Sequence, residues 1–371
     1  MSIHWTSSTV FGLHQDSDRP RDRSDWLEIY REGNPALDNA LQGYDNEAVF
    51  AKLQQIQTRD SVQTSQSNPR LREFQVFGSG QPEIGENIKD SDLYAETLAP
   101  QVWESPLSPA AGIVNSVVAV HRLREVMAIY GFTRLEPAPS VSEGDMEEIQ
   151  LAVKGAPLGE RHNWLPAIKQ YGEGIFIRFN EDVIDNWQGQ DAPCERGETL
   201  YRGYKEHLRR SPSLTEDSFK FPGLSYILLH SLAHALITEI ALECGYPVSS
   251  LKERIYAFRS EQEPSKYGVL IYAVTLGADG TLGGLVQVAG RLPMILERAL
   301  ERHAICSNDP VCADHDPATN VDDCTLLGAA CHGCLLLPET SCERRNSFLD
   351  RSLLVDTMAS QGSSLFTGNQ R

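Results

Sequence analysis

Six of the eight cysteines fall between Arg302 and Val355: Cys306, Cys312, Cys324, Cys331, Cys334 and Cys342. Two of them close the tight pair Cys331-His-Gly-Cys334, where a short spacer containing glycine lets both sulfurs turn toward one point. Zinc takes four ligands tetrahedrally and suits thiolates about 2.3 Å away, so the knuckle calls for two more sulfurs from the same stretch. Cys342 is the first expectation, because the short loop Leu335 to Ser341, with Pro338 in it, can fold it back. Cys312 is the second, although on spacing either Cys306 or Cys324 fits in its place. The expected ligand set is therefore Cys312, Cys331, Cys334 and Cys342. Four thiolates leave no position at which a water could be activated, so the zinc would be structural. The plainer reading, small buried hydrophobes or disulfides, suits a clustered set of thiols without signs of secretion less well than metal binding does. Cys194 and Cys244 stand apart from the cluster.

His230 and His234 are the other pair with ligand spacing, one helical turn apart and so on one helix face. A metalloprotease would need Glu directly after the first histidine as its base; Ser231 stands there instead. Two hydrogen-bonded interface histidines are the plainer expectation, with Glu239 and Glu243 as companions if the pair acts in catalysis. Arg122, Arg124 and Arg134 crowd one segment and invite an anion contact, against surface pairing with Glu125 and Glu136 as the simpler reading. Gly277, Gly280, Gly283 and Gly284 make only a weak phosphate cradle. No Gly-Lys-Ser/Thr follows them, and a hairpin turning at Asp279-Gly280 explains most of them. The serines, histidines and aspartates show no spacing that implies a triad.

These groups must be held by elements that the apolar pattern outlines. Leu224 to Ala241 is the most apolar stretch, at helical spacing, and ends before Gly245. Gly174 to Phe179, Glu148 to Val153 and Gly268 to Thr275 read as strands. Val114, Val117, Val118, Leu123, Val126 and Ile129 predict an amphipathic helix ending at Gly131. Ser250 and Glu253 match a capping box and predict a short helix, a strand is expected over Leu282 to Val288, and Pro293 opens the helix before the cysteines. Lys205 to Arg210 is a basic run on a solvated helix or loop. A helix is also expected over Leu37 to Ile56 and a linker over Gln57 to Pro69. The whole reads as an α/β protein: a mixed sheet with flanking helices, a zinc-bound C-terminal region and a loop-rich N-terminal region, divided into 1–110 and 111–371.

A formal net charge of −18 and a pI near 5.0 exclude a broad basic face that grips nucleic acid unaided. No secretory pattern opens the chain and no apolar run suggests a membrane span, so the cytoplasm is expected and a membrane partner is not.

Several stretches in order resemble the DrmB family of the bacterial DISARM anti-phage system: Val120-His-Arg-Leu-Arg-Glu-Val126, Gly131-Phe-Thr-Arg-Leu135, Gly172-Glu-Gly-Ile-Phe176, Leu229-His-Ser-Leu-Ala-His-Ala235, Gly280-Thr-Leu-Gly-Gly-Leu285, and Cys331-His-Gly-Cys334 through Cys342. The resemblance spans roughly residues 110 to 356. It implies a zinc-binding domain shared with MrfA-type repair helicases, a helicase-like partner subunit, and work on DNA. It transfers no catalytic residues. Larger members carry a further N-terminal cysteine-bearing region without a counterpart here, so a split, shortened or diverged version is expected. The resulting expectation is a non-catalytic accessory subunit of a DNA-translocating complex, touching DNA through Arg122, Arg124, Arg134, Arg209 and Arg210. The alternative is a metal-dependent hydrolase acting on nucleic acid through His230 and His234, which a second metal would favour.

Overall fold

The structure, a computed structural model, describes residues 68–128 and 166–368, apart from 89–90, 106–107, 110, 212–215, 217–218, 261–262, 276–282 and 320–325. The expected helix over Leu37 to Ile56, most of the linker after it, the strand at Glu148 to Val153 and the Asp279-Gly280 turn all lie outside the described residues. Of the two units into which the chain divides, 69–155 with 167–371 holds the sheet, its helices and the cysteine-rich turns.

Among the described residues, six strands form one sheet in the order β1-β2-β3-β4-β6-β5. They are β1 (Glu83–Gly85), β2 (Leu93–Thr97), β3 (Val114–Ala128), β4 (Ala167–Phe179), β5 (Leu251–Phe258) and β6 (Lys266–Thr275). The α/β class with flanking helices holds, and all five pairings are antiparallel rather than mixed. Strand β2 pairs with β3 across the boundary expected near residue 110.

β3 replaces the predicted helix. Its Val-rich run suits a strand, since β-branched side chains pack well on a pleated surface. Register shifts between Val114 and Ser116 and between Val120 and Leu123 break the two-residue alternation. Each bulge advances the buried set by an extra residue, and the result imitates helical spacing. β4 is buried on both faces, so Ile175, Phe176 and Ile177 run without polar interruption.

The helices α1 (Pro69–Phe77), α2 (Pro100–Trp103), α3 (Glu181–Gln188), α4 (Asp191–Arg210), α5 (Leu224–Cys244), α6 (Gly284–Ala289) and α7 (Leu292–His303) cover the sheet. On one face Phe74 and Phe77 of α1 meet Phe176, Tyr256 and Leu270. On the other, α5 lies in the main core with α3, α4 and α7. α5 is long and apolar enough to cross a bilayer by composition, yet 78% of its apolar window is buried inside the fold, as a core helix requires. Gly245, at φ 70°, ends it in the left-handed conformation. Two local expectations fail. Gly284–Ala289 is helical where a strand was expected, and the Ser250/Glu253 capping box caps nothing: a 3-10 turn, Val248–Ser250, leads directly into β5. After α7 the described residues run through turns, closed by a 3-10 turn at Arg351–Leu353.

Candidate metal centres

The structure brings four cysteines together at the knuckle: Cys306, Cys312, Cys331 and Cys334, their sulfurs all within 4.8 Å of one another. The Cys306–Cys331 separation is 3.5 Å, and Cys312–Cys334 and Cys331–Cys334 are each 3.8 Å. Sulfurs about 2.3 Å from a central ion stand about 3.8 Å apart at the corners of a tetrahedron, so the set fits zinc. Backbone amides of Asn308 and Gly333 donate to Cys306 and Cys331 at 3.4 and 3.3 Å, and the Asn308 side-chain amide donates to Cys331 at 3.2 Å. Such donors stabilise thiolate charge around a metal. Without an ion, hydrogen bonding to Cys334 and then burial push the Cys312 thiol well up, and burial pushes Cys306 up. Gly333 sits in a crowded turn, where a Cβ would lie 2.8 Å from Ser307 Oγ and 3.4 Å from Cys306 Sγ.

The fold holds this turn from behind. Arg351, wholly buried, donates to the carbonyls of His303 and Ala304 and to Asp309, whose other carboxylate oxygen accepts from Cys306 N at 2.9 Å. Its neighbour Asp350 accepts from Arg196 at 2.7 Å and from Ser352 Oγ at 2.7 Å. Gly328 passes so close to Asp350 that a Cβ would sit 2.3 Å from its carboxylate.

Of the expected zinc ligands, Cys312, Cys331 and Cys334 converge, Cys306 supplies the fourth sulfur, and Cys342 is elsewhere. Cys324 lies outside the described residues. The loop does fold Cys342 back, but onto α5 and β5 rather than the knuckle. There His230, His234, Glu253 and Cys342 place their donor atoms within 4.8 Å of one another, and all four residues are buried. His230 Nε2 is 2.9 Å from Glu253 Oε1 and 3.1 Å from Cys342 Sγ, and His234 Nε2 is 3.3 Å from Glu253 Oε1. Burial disfavours both imidazolium ions, but the Glu253 carboxylate and Cys342 together outweigh it: His230 is held well above its ordinary range and His234 is pushed up to about 9. Burial is the largest influence on Cys342 and raises it, but His230 and His234 together lower it further, leaving the thiol below its usual range.

Sequence reasoning missed Glu253, because the capping-box pattern claimed it for a helix start. The companions it named instead are engaged elsewhere: Glu239 with Arg302, and Glu243 with Arg291 and Arg298. Ser231, at the missing base position, donates to Ile227 O at 2.7 Å and accepts from Asp350 N at 2.8 Å.

The arginines expected to meet DNA are dispersed. Arg122 donates to Ser91 Oγ at 3.0 Å and to Ile88 O, and Arg124 pairs with Asp92 at 2.7 Å, not with Glu125, which holds Lys252. Arg209 and Arg210 at the end of α4 both pair with Glu206. Arg134 lies outside the described residues.

Residues 232–335 match the family model of the MrfA Zn-binding domain, a span that contains all four clustered cysteines of the knuckle. The chain is 37% identical over 261 residues to the DISARM protein DrmB of Bacillus paralicheniformis, an alignment covering 68% of this chain and 43% of that protein. The chain thus spans less than half the length of this relative, and is DrmB-like over the aligned part. The matched domain and the four-sulfur cluster together make zinc a structural cofactor of this chain.

Proposed function

We propose that this chain is a non-catalytic accessory subunit of a DISARM-type anti-phage complex, acting in the cytoplasm beside a helicase-like DNA translocase. The observation that carries the reading is the 37% identity to DrmB over 68% of the chain. Cys306, Cys312, Cys331 and Cys334 hold the zinc, and the ion shapes the turns between α7 and Arg351 into a rigid surface for the partner. The partner supplies the motor and most of the grip on DNA. The acidic net charge of −18 is consistent with that division, because phosphate binding rests on Lys and Arg. Arg122, Arg124, Arg209 and Arg210 then contribute DNA contacts only within the complex, in exchange for their present acidic and carbonyl partners.

The hydrolase alternative is opposed by burial. His230, His234, Glu253 and Cys342 are at most 7% exposed and present four protein donors, so a substrate phosphate has no approach and a water no open position. A second metal would therefore not mark a hydrolase.

Co-expression with a helicase-like subunit encoded beside it tests the proposal. The pair should co-purify, a Cys331→Ser/Cys334→Ser variant should lose the partner, and the complex should retain DNA in a salt-dependent way that this chain alone does not. A chain that ignores the subunit, or that cleaves nucleic acid alone and stops in His230→Ala, overturns it.

A further inference from the structure

The buried set on α5, β5 and the loop after the knuckle has a feature that no ordinary histidine pair shows. His230 Nδ1 lies 3.1 Å from Phe348 O, and His234 Nδ1 lies 2.8 Å from Leu335 O. A carbonyl only accepts, so both Nδ1 atoms carry hydrogen and both Nε2 atoms turn toward the same point. Glu253 turns a carboxylate to that point, and its Oε2 is buried without a hydrogen-bond partner. Cys342 Sγ brings a fourth donor and already accepts the amides of Arg344 and Asn346 at 3.3 and 3.2 Å. Four lone-pair donors therefore converge in a dry pocket, and something positive must sit between them. Two protons, one on each Nε2, or one divalent ion would both balance the carboxylate and thiolate.

We infer that His230, His234, Glu253 and Cys342 form a second metal site, which takes a borderline divalent ion, zinc first, through two nitrogens, one oxygen and one sulfur. Three observations favour the ion over two protons. The Nδ1 bonds to carbonyls are the outer-shell arrangement that fixes the tautomer of metal-ligating histidines. The amide donors on Cys342 repeat those on Cys306 and Cys331. Glu253 Oε2 is buried without a hydrogen-bond partner beside an Oε1 that faces both Nε2 atoms, so the carboxylate's charge is left to be met at that shared point. Nitrogen, oxygen and sulfur ligands together at four positions suit zinc better than magnesium or calcium, which take oxygen. The matched domain begins after His230 and ends before Cys342, so two of the four donors lie outside it. The site is closed, and its work is to join three elements: the core helix, strand β5 and the loop from Ser341 to Phe348.

Metal counting on the full wild-type chain tests this without any variant. Two equivalents of zinc are expected, with an X-ray absorption shell averaging between two and three sulfurs per zinc. Glu253→Gln, which keeps the side chain's size, and Cys342→Ser should each lose one equivalent and raise the sulfur average to four. Cys306→Ser should lose the other equivalent and lower the average. A wild-type chain with one equivalent in a four-sulfur shell, or a folded Glu253→Gln variant that keeps two equivalents, overturns the second site while leaving the first and the proposed function standing. A wild-type chain without metal overturns both sites.

Discussion

The two clusters differ in how they are built. The four-cysteine set comes from a single run of turns, Cys306 to Cys334, and its outer two sulfurs are half-exposed in the knuckle. The His230/His234/Glu253/Cys342 set draws on a helix, a strand and a loop, with Cys342 112 residues from His230, and is buried throughout. In the first, the Cys306 and Cys312 thiols are pushed up among their neighbours until a metal takes their charge. In the second, a carboxylate and a thiolate face two imidazole nitrogens in a buried pocket, so a cation held there would complete the charge balance. The first cluster therefore shapes a local surface, and the second joins distant parts of the fold. They are not independent: Leu335, which accepts from His234, directly follows the ligand Cys334, and the segment between Phe348 and Arg351 touches both.

If the clusters act as one mechanical unit, Cys334→Ser should have the largest effect. It is expected to release the knuckle zinc and lower the melting temperature by on the order of 10 °C, because structural metal binding is folding free energy. Metal analysis beside calorimetry checks it; an unchanged melting temperature with the knuckle zinc gone would make the clusters separate units. Asp350→Ala comes next. It strands the mostly buried Arg196 and unties the segment between the clusters, a loss of about 3–5 kcal/mol for removing one partner of a buried pair. Denaturant unfolding reads this directly.

A smaller effect concerns acid. Burial raises the Asp350 carboxyl's pKa, but Arg196 and Ser352 lower it more, so it stays below its ordinary range. The folded state then holds that proton less tightly than the unfolded chain. The resulting stability is complete above the unfolded value of about 3.9 and lost as pH falls below it. Denaturation curves between pH 3 and pH 6, a range of order three units set by that value, should show a shallower acid loss in Asp350→Asn than in the wild type. Arg209→Ala should have the least effect of all, leaving metal content and melting temperature unchanged, because its pair with Glu206 is on the surface and the side chain is 71% exposed.

Legibility in the sequence divides along the same line. Cys331-His-Gly-Cys334 announces itself because both ligands sit within one turn, and α5 and β6 because their apolar runs are long and cleanly ended. The expectation that Cys342 joins the knuckle fails because loop length says that a chain can fold back but not onto what. Glu253 is hidden by a local pattern that tertiary structure overrides: the same Ser-x-x-Glu spacing serves a helix cap and, in β5, an inward-facing carboxylate. β3 imitates a helix because its two bulges shift the buried side chains out of alternation. Elements and sites that depend on near neighbours are readable; those set by pairing across the sheet are not.

β5 is the last strand of the sheet, with a partner on one side only. Its outward backbone groups are taken by single bonds: Glu253 N donates to Ser341 O at 3.2 Å, and Ile255 O accepts from Arg70 at 3.2 Å. The guard on that edge is thus shared between Arg70 of α1 and the chain just before Cys342. Releasing it bares a ready template for strand addition. Chelated protein is therefore expected to self-associate and scatter light before its helical signal is lost, making metal supply a condition of solubility as well as of shape.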